Sequence, residues 1–387
     1  MIPYGQQSIS EQDIESVKDV LQSDLITQGP KVKEFEDALC DHFGCSQAVA
    51  VNNGTMALQL AYKALGVSQG DEVVTTPNTF VATANGIVYN DGHPKFVDID
   101  SNTFNLDADK LETFLDDPKN RENLVGIAPV HFAGLPCVMG KIYELAQRHD
   151  LFVLEDACHA PGAGWRDSEG QWHKIGSCSH SDAAVMSFHP VKHFTTGEGG
   201  AVLTNDHELA DKVRQLRTHG ITNNPEQLHE NHGPWYYEMQ ELGYNGRITD
   251  FQCALGIQQL DRLDEFVEGR RKLAGEYDDF FGGTEGITST NVPDDRSHAY
   301  HLYVIRTRWR DQLFEFLREN DVAPQVHYIP VHLQPYYREH FEINGENLHQ
   351  AEAYYEEAVS IPMYSQITQE DKETIFQLFE RFIRNEV

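Results

Sequence analysis

The segment Ser187-Phe-His-Pro-Val-Lys-His-Phe-Thr-Thr-Gly-Glu-Gly-Gly200 lies between two short apolar runs, residues 183–188 and 200–203. Runs of this length that end in turn residues are typical of buried strands. Lys192 therefore stands between a strand end and a glycine-rich turn. A lysine nucleophile must lose its proton, and desolvation in such a cleft favours that loss. A solvated surface lysine is the alternative, but in a chain with thirteen lysines this placement favours a reactive amine.

The residues before this segment alternate between short apolar runs and amphipathic helices. The alternation predicts an α/β domain whose mixed, mostly parallel sheet is buried on both faces. Ligands of such sheets bind beyond the carboxyl ends of the strands, so the polar loops at those ends hold the candidate site residues. The predicted strands are residues 48–51, 72–75, 95–98, 124–128 and 151–154, and the predicted helices are residues 55–65, 80–89 and 141–149.

The chain beyond about residue 250 predicts a second, smaller unit that begins beside a long helix at residues 251–274. We expect a large domain, residues 1–255, and a smaller C-terminal α+β domain, residues 256–387. The large domain starts with a helix after a Ser10 cap, with an apolar face. That helix is residues 11–22, with Ile14, Val17 and Leu21 on the apolar face, and the smaller domain has a strand at 300–305 and helices at 309–320 and 371–385.

The loop Asn52-Asn-Gly-Thr-Met-Ala-Leu58 follows the first predicted strand and begins a helix. Gly54 permits close approach of the backbone, and Thr55 supplies a hydroxyl. Free N–H groups and the helix dipole make such a terminus a phosphate site. A simple helix cap explains the same residues equally well, so the loop alone leaves both interpretations open.

The loop Leu154-Glu-Asp-Ala-Cys-His-Ala160 follows another predicted strand. Asp156 is a carboxylate at the end of a buried strand, where it is unfavourable without a cation or hydrogen-bond donors. A protonated ring nitrogen would be such a partner. The alternatives are that Asp156 caps the next turn or that Glu155 takes the role instead. His159 either hydrogen-bonds a bound ring or fills the core.

The composition excludes several classes of partner. Sixty-one acidic residues face thirty basic ones, for a net charge of −31. Such a surface repels phosphates, so we expect neither nucleic acid nor membrane as a partner. A host adapted to high salt and an unusual mesophilic composition both explain the acidity. With no secretory signal and no long apolar run, the cytoplasm is the expected compartment.

The six cysteines form no CxxC pair, and in a chain this long they indicate reduced thiols. Cys40, His42 and Cys45 are close in sequence and are a conceivable metal site. No second ligand pair follows with zinc-like spacing, so we expect no metal.

In their order and spacing these segments resemble the DegT/StrS-type nucleotide-sugar aminotransferases, which depend on pyridoxal 5′-phosphate (PLP) and share the aspartate aminotransferase fold, fold type I. The resemblance runs from about Ile2 to the C-terminal helix and is strongest to the pseudaminic acid branch. Besides the segment around Lys192, it is carried by Leu25-Ile-Thr-Gln-Gly-Pro30, Asn53-Gly-Thr-Met-Ala-Leu58, Thr79-Phe-Val-Ala-Thr83, Val326-His-Tyr-Ile-Pro330 and Pro335-Tyr-Tyr-Arg338.

The resemblance implies roles for the candidate residues. Lys192 is the catalytic residue and holds PLP as a Schiff base, while Asp156 pairs with the pyridine nitrogen. Asn245 reaches the phosphate in a partner subunit, so a homodimer shares its active sites. Gly246 departs from the family pattern, in which an aromatic residue commonly follows this asparagine. The other implied cofactor contacts are Gly54, Thr55 and Ser187 to the phosphate, Phe80 to the ring face and His159 to the ring hydroxyl.

The implied reaction moves an amino group from L-glutamate to C4 of a UDP-4-keto-6-deoxy-N-acetylhexosamine, in pseudaminic acid biosynthesis. Another UDP- or dTDP-keto-deoxy sugar is the alternative substrate. The candidate substrate contacts are Thr27, His327, Tyr328 and Arg247, with Lys31, Lys33, Arg217, Arg338 and His332 as further, unranked candidates.

Three other functions are weighed against this reaction. PLP-dependent sugar dehydratases resemble this chain with histidine at the lysine position, so Lys192 favours transfer, although His193 lies next to it. An amino acid aminotransferase would need an arginine for the substrate carboxylate, which the sequence does not exclude. A regulatory PLP-binding protein would lack the lysine, the aspartate or the phosphate loop, and all three are present.

Overall fold

The computed structural model describes residues 1–341 and 345–386 of the chain. Within these residues it forms thirteen α-helices and fifteen strands. The strands are β1 (Gln47–Val51), β2 (Glu72–Thr75), β3 (His93–Phe96), β4 (Leu124–Ile127), β5 (Phe152–Asp156), β6 (Gly164–Arg166), β7 (Trp172–Lys174), β8 (Ala183–Ser187), β9 (Gly200–Thr204), β10 (Ile221–Thr222), β11 (Glu238–Met239), β12 (Thr288–Ser289), β13 (Arg296–Ser297), β14 (Tyr303–Arg306) and β15 (Ala358–Ile361). The helices are α1 (Glu11–Leu21), α2 (Pro30–Phe43), α3 (Gly54–Ala64), α4 (Ala82–Val88), α5 (Ala108–Asp116), α6 (Met139–Arg148), α7 (His207–Arg217), α8 (Asp250–Leu260), α9 (Leu263–Phe281), α10 (Arg310–Glu319), α11 (Pro335–His340), α12 (His349–Glu357) and α13 (Gln369–Glu386).

The large sheet has the strand order β1-β9-β8-β5-β4-β2-β3. Strands β8, β5, β4, β2 and β3 pair in parallel, whereas β9 is antiparallel to both β1 and β8. The predicted mixed, mostly parallel sheet is therefore confirmed. Each strand predicted before residue 204 lies in this sheet, within two residues of its predicted bounds.

The register of the sheet brings three polar loops to one edge. Val51, at the end of β1, and Ser187, at the end of β8, both lie opposite Gly200, at the start of β9. Asp156 ends β5 at the same edge, because β5 is parallel to β8. The loops that follow β1, β5 and β8 therefore converge at the carboxyl edge of the sheet, where ligands of open α/β sheets bind.

Helices bury both faces of this sheet. Val49 and Val51 of β1 belong to an apolar cluster with side chains of α3 and α7, whereas Ala48 and Ala50 belong to the cluster on the other face, to which α2, α5 and α6 contribute. Successive side chains of a strand point to opposite faces. Because both faces are buried, the strands are continuous apolar runs rather than alternating ones.

A separate apolar core lies in the C-terminal part of the chain, around β14, β15, α10 and α13. Helix α9 contributes to both cores. Phe266 and Val267 pack into the core of the large sheet, while Leu273 and Tyr277 pack into the C-terminal core. The domain boundary between residues 255 and 256 stays a prediction.

The prediction of one continuous helix at residues 251–274 is wrong, because the segment forms two helices. Helix α8 ends at Leu260 and α9 begins at Leu263. Gln259 and Arg262, on either side of the break, both donate to the buried carboxylate of Asp13, at 2.8 and 2.7 Å. These contacts dock α1 on the junction between α8 and α9.

Helix α1 has the predicted Ser10 cap, completed by Asp13 as a capping box. The helix nevertheless turns a different face inward. Ile14 is 50% and Leu21 56% exposed, whereas Asp13 is buried. The contacts of Asp13 decide this orientation, so the predicted apolar face of α1 lies open on the surface of the chain.

Within residues 1–341 and 345–386, no helix is long and apolar enough to span a bilayer. A search of the same residues finds no group of three or more His, Cys, Asp or Glu side chains that could hold a metal ion. The six cysteines are free thiols.

Candidate active site

Lys192 lies half-buried in the turn between β8 and β9. Its Nζ atom is 3.3 Å from Nε2 of His301. Burial lowers the pKa of Lys192 to about 8, because the ammonium form loses hydration. The neutral, nucleophilic form of the amine is therefore accessible near neutral pH, although the charged form still predominates at pH 7.

Histidines surround this amine, and burial keeps them neutral. Burial, followed by the charge of Lys192, lowers the pKa of His159 and of His301 well below the usual value. The same two causes lower the pKa of His327 to about 3. Burial also lowers the pKa of His193 well below its usual value. These imidazoles therefore supply hydrogen bonds to the pocket without adding positive charge.

Asp156 is buried at the end of β5, and neutral groups hold its carboxylate. Oδ2 accepts a hydrogen bond from the Thr83 hydroxyl at 2.6 Å, and Oδ1 accepts one from the Cys158 N–H at 3.2 Å. Three other buried acids pair with a cation, Asp13 with Arg262, Glu36 with Arg217 and Asp98 with Lys110, whereas buried Asp250 is held by backbone N–H groups. A buried carboxylate without a cation is unfavourable, so this position suits a cation from a bound molecule.

Glu155, the alternative to Asp156, faces the opposite side of β5. Its Oε2 atom is 2.8 Å from Nε2 of His131, and its Oε1 atom accepts a hydrogen bond from the Ser181 hydroxyl. The alternation of side chains along a strand separates the two acids. Asp156 points toward the converging loops, and Glu155 points into a polar cluster within the core.

The N-terminus of α3 lies directly against Ser187. The Asn53 side chain caps the helix by accepting from the Met56 N–H at 2.7 Å, which leaves the N–H groups of Gly54 and Thr55 at the first turn. A Cβ atom on Gly54 would lie 2.9 Å from Cβ of Ser187. The three residues predicted for a phosphate are therefore brought together, and the helix dipole favours an anion there.

Aromatic side chains line the pocket above these loops. The Tyr328 hydroxyl is 3.1 Å from Nε2 of His159, and the ring of Phe80 lies 5.9 Å from that of Tyr328. Phe80 is 53% exposed, so much of its surface is free to meet another group. His327 hydrogen-bonds the Ser360 hydroxyl through Nδ1 at 2.8 Å. The structure thus brings Phe80, His159, His327 and Tyr328 together with Lys192.

Asn245 lies apart from the group around Lys192 within the single chain. It is exposed, and its backbone is bound at the end of β1. The Asn52 N–H donates to the Gly246 carbonyl at 2.9 Å, and the Asn52 side chain donates to the Asn245 carbonyl at 3.3 Å. A Cβ atom on Gly246 would lie 3.0 Å from Cγ of Met56. A side chain at position 246 would therefore require Met56 to move.

Thr27 and Arg247 also lie outside the group around Lys192. Thr27 is exposed and pairs with Thr249 through an isolated bridge. Arg247 lines a cavity of about 290 Å³ together with Lys33 and Arg217. The two predicted substrate contacts are far apart in sequence but are brought close in space by this bridge, on a second part of the surface.

Two residues of the pocket, His301 and Thr83, were not predicted. His301 lies in the run of residues 300–305 that predicted a strand, but the strand begins only at Tyr303. The segment before it bonds to another loop instead, with the Leu302 N–H donating to the Ala133 carbonyl at 3.2 Å. The sequence feature that could have indicated His301 is a histidine at the start of an apolar run. The feature that could have indicated Thr83 is a hydroxyl side chain one helical turn after Thr79.

The pocket fits PLP on several counts. The carboxylate of Asp156 matches a pyridinium nitrogen, the first turn of α3 matches a phosphate, and the amine of Lys192 matches an aldehyde. Nδ1 of His159 is buried and has no hydrogen-bond partner among the described residues, which leaves a position for a ring substituent. The fold and the pocket define the class: an enzyme of fold type I that depends on PLP.

Comparison with known sequences narrows this class. The chain belongs to the DegT/DnrJ/EryC1/StrS aminotransferase family, which matches residues 7–380. It is 39% identical over 383 residues to the spore coat polysaccharide biosynthesis protein SpsC of Bacillus subtilis, covering 97% of this chain and 95% of SpsC. It is 37% identical over 391 residues to the UDP-4-amino-4,6-dideoxy-N-acetyl-beta-L-altrosamine transaminase of Campylobacter jejuni, covering 98% of each chain.

Comparison with solved structures leads to the same class of enzyme. Helicobacter pylori PseC, an aminotransferase involved in the biosynthesis of pseudoaminic acid, matches with a TM-score of 0.89 at 29% identity, over 99% of both chains. The PLP form of the putative sugar aminotransferase Spr1654 of Streptococcus pneumoniae matches with a TM-score of 0.89 at 27% identity, over 100% of this chain and 99% of that one. The chain is therefore a PLP-dependent sugar aminotransferase, which confirms the predicted fold type, enzyme class and cofactor.

Gly54→Ala is expected to weaken PLP binding about tenfold, because the added Cβ pushes Ser187 away from the first turn of α3. The measurement is an absorbance titration of the apo-enzyme with PLP. Gly275→Ala in α9 is the control, since a Cβ there meets nothing within 4 Å. An unchanged dissociation constant for Gly54→Ala would show that the phosphate binds elsewhere.

Proposed function

We propose that the enzyme transfers the amino group of L-glutamate to C4 of a UDP-4-keto-6-deoxy-N-acetylhexosamine, in pseudaminic acid biosynthesis in the cytoplasm. Lys192 is the catalytic residue and holds PLP as a Schiff base. The observation that carries this chemistry is a lysine with a pKa of about 8 at the same sheet edge as a buried carboxylate that forms no ion pair among the described residues. The choice of sugar is supported by the names of the C. jejuni relative and of PseC.

Lys192 and Asp156 have different roles in the two half-reactions. When bound, PLP supplies a carbonyl that exchanges amines and a ring that withdraws electrons from the reacting carbon. The neutral Nζ of Lys192, once displaced by the amino donor, takes the proton from the α-carbon of L-glutamate. In the second half the same Nζ delivers a proton to C4 of the sugar. The carboxylate of Asp156 supplies the negative charge that faces the ring nitrogen.

The remaining cofactor contacts follow from the geometry of the pocket. Gly54 and Thr55 would offer backbone N–H groups to the phosphate, and Ser187 would add its hydroxyl. Phe80 would cover one face of the ring with its exposed surface. The hydrogen bond between the Tyr328 hydroxyl and Nε2 of His159 holds this imidazole in place. From that position His159 would meet the ring hydroxyl of the cofactor.

On the sugar side, His327 and Tyr328 are the proposed contacts close to the reacting carbon. Arg247 is the proposed diphosphate contact, with Thr27 nearby. Two neighbouring cations of its cavity are already paired, Arg217 with Glu36 at 2.7 Å and Lys33 with Asp37. Arg247 has no ion pair within the described residues, so it is the cation of this cavity that is available to a diphosphate.

We also propose a homodimer whose active sites are shared, with Asn245 of one subunit completing the phosphate site of the other. The supporting observation is a surface rich in large apolar side chains around the segment that precedes Asn245. Contiguous exposed apolar surface of this kind marks protein contacts. The exposed side chains of that segment are Trp235 at 75%, Tyr237 at 59%, Met239 at 62% and Leu242 at 70%.

Mixing two inactive variants tests the shared site. Lys192→Ala and Asn245→Ala subunits, refolded together, are expected to recover about a quarter of the wild-type activity, because one site of each mixed C2 dimer holds both native residues. Each variant alone should stay far below that level. If each subunit completes its own site, every site in the mixture carries one substitution and activity does not recover.

The substrate is tested with purified enzyme, PLP, L-glutamate and a panel of UDP- and dTDP-4-keto sugars, with the position of the new amine determined by NMR. We expect amination at C4 of the UDP-N-acetylhexosamine. Activity on dTDP-sugars alone would refute the pseudaminic acid assignment and favour the alternative, another keto-deoxy sugar. A deoxygenated product without a new amine would identify a sugar dehydratase instead.

A further inference from the structure

The contact between Lys192 and His301 has no role in the two half-reactions described above. We propose that His301 is a positioning residue for Lys192, accepting a hydrogen bond at Nε2 from the ε-amine whenever that amine is not bonded to the cofactor. This inference rests on the proposed role of Lys192 as the residue that holds PLP. The supporting distance is 3.3 Å between Nζ and Nε2, across 109 residues of sequence.

The backbone on both sides of His301 is fastened to the loop before α6. The Ala299 N–H donates to the Gly134 carbonyl at 2.9 Å, and the Leu302 N–H donates to the Ala133 carbonyl at 3.2 Å. These bonds replace the strand pairing that the sequence predicted for this segment. Because both flanks are fixed, the imidazole of His301 has little freedom to move away from Lys192.

The side chain of Arg270 binds the backbone of the same segment. Its guanidinium is buried, and NH1 donates to the carbonyls of Tyr300 at 3.1 Å, His301 at 3.3 Å and Met363 at 2.7 Å. An arginine bonded to carbonyl oxygens keeps its positive charge without a carboxylate partner. That charge, close to the pocket, opposes protonation of His301 and of Lys192.

The imidazole of His301 is 3% exposed and stays neutral, because burial and the charge of Lys192 lower its pKa. A neutral imidazole has one bare nitrogen, so Nε2 can accept from the ammonium form of Lys192. The contact therefore stabilises that form in a pocket that otherwise disfavours charge. Beside His301, the titratable and charged groups that face the amine are Asp156, Cys158, His159, His193, Arg270 and His327.

Removing the acceptor is expected to lower the pKa of the free Lys192 amine. An apolar ring in place of the imidazole would leave the ammonium with one hydrogen bond fewer and no room for a replacing water. The charged form then becomes less stable, and the pKa falls by about one unit. A variant that keeps an acceptor at the same reach should not show this shift.

The experiment measures capture of PLP by the apo-enzyme as a function of pH. Condensation needs the neutral amine, so the rate, followed by absorbance, rises with a midpoint at the pKa of Lys192, about 8 in the wild type. For His301→Phe we expect a midpoint about one unit lower. His301→Gln is the matched control, because its terminal amide reaches the position of Nε2, and its midpoint should stay with the wild type. Should the Phe variant not fold, His301→Leu takes its place.

Each outcome decides the inference. A midpoint that is unchanged in His301→Phe would overturn it, and so would equal shifts in the Phe and Gln variants, which would indicate a packing effect. Borohydride reduction and peptide mapping of the wild type separate this failure from that of the proposed function. PLP attached to another lysine would refute the role of Lys192 itself, whereas attachment at Lys192 with equal midpoints would refute only the role of His301.

Discussion

Lys192→Ala is expected to lower turnover by at least about 10³-fold, because it removes both the nucleophile that holds the cofactor and the base that moves the proton. The variant should also lose the absorbance of covalently attached PLP and the product of borohydride reduction. Burial at the sheet edge, which brings the pKa of this lysine to about 8, is the reason that no other amine is expected to substitute. Turnover with the sugar substrate and absorbance of the purified protein are the two measurements.

Lys18→Ala is the matched control for this loss. Lys18 is exposed on α1, where it pairs with Glu15 at 2.8 Å, so its removal should leave both turnover and absorbance unchanged. Thermal unfolding of both variants shows whether the fold is retained. Normal transamination by Lys192→Ala would refute the assignment of the catalytic residue.

Asp156→Asn is expected to reduce kcat/KM by about 10²–10³-fold, because the substitution keeps the shape of the side chain and removes the charge that faces the ring nitrogen. The hydrogen bond from Thr83 to Oδ2, at 2.6 Å, shows how tightly the carboxylate is placed. An amide of the same size can keep a contact with this hydroxyl, so the melting temperature should change little. The measurements are steady-state kinetics and thermal unfolding of the same preparation.

Glu155→Gln is the control, since the two acids are neighbours in sequence and face opposite sides of β5. Glu155 bonds His131 and Ser181 within the core, and breaking that cluster should lower the melting temperature by several degrees. Turnover of the folded variant should remain close to that of the wild type. The opposite pattern, with kinetics sensitive to Glu155 and stability sensitive to Asp156, would exchange the roles of the two residues.

Much of the site was predictable because its residues lie in short segments at the ends of apolar strands. The bounds of those strands follow from runs of apolar residues, and a parallel sheet places their carboxyl ends at one edge. Gly54, Asp156, Ser187 and Lys192 meet at that edge for this reason. The phosphate interpretation of Gly54 gained support over a simple cap only when Ser187 was found in contact with it.

Other features depended on contacts between segments that are far apart in the chain. Arg247 is proposed as the diphosphate contact because acidic side chains pair with Arg217 and Lys33 in the same cavity. The apolar face of α1 is open because Asp13 is bound by residues about 250 positions away. Neither outcome has a local pattern, since each depends on which side chains meet after packing.

The alternation before Lys192 predicted the mixed, mostly parallel sheet, and the stretch around Lys192 favoured a reactive amine, because strand runs and a glycine-rich turn are local features. The fold type and the cofactor were implied by the resemblance of these segments to the aminotransferase family. Only the tertiary structure decided that Asp156 rather than Glu155 faces the converging loops, and that His301 meets the amine of Lys192. The physical reason is that the direction of a side chain, and the segment that packs against it, depend on the register of the sheet and on loops held by distant partners.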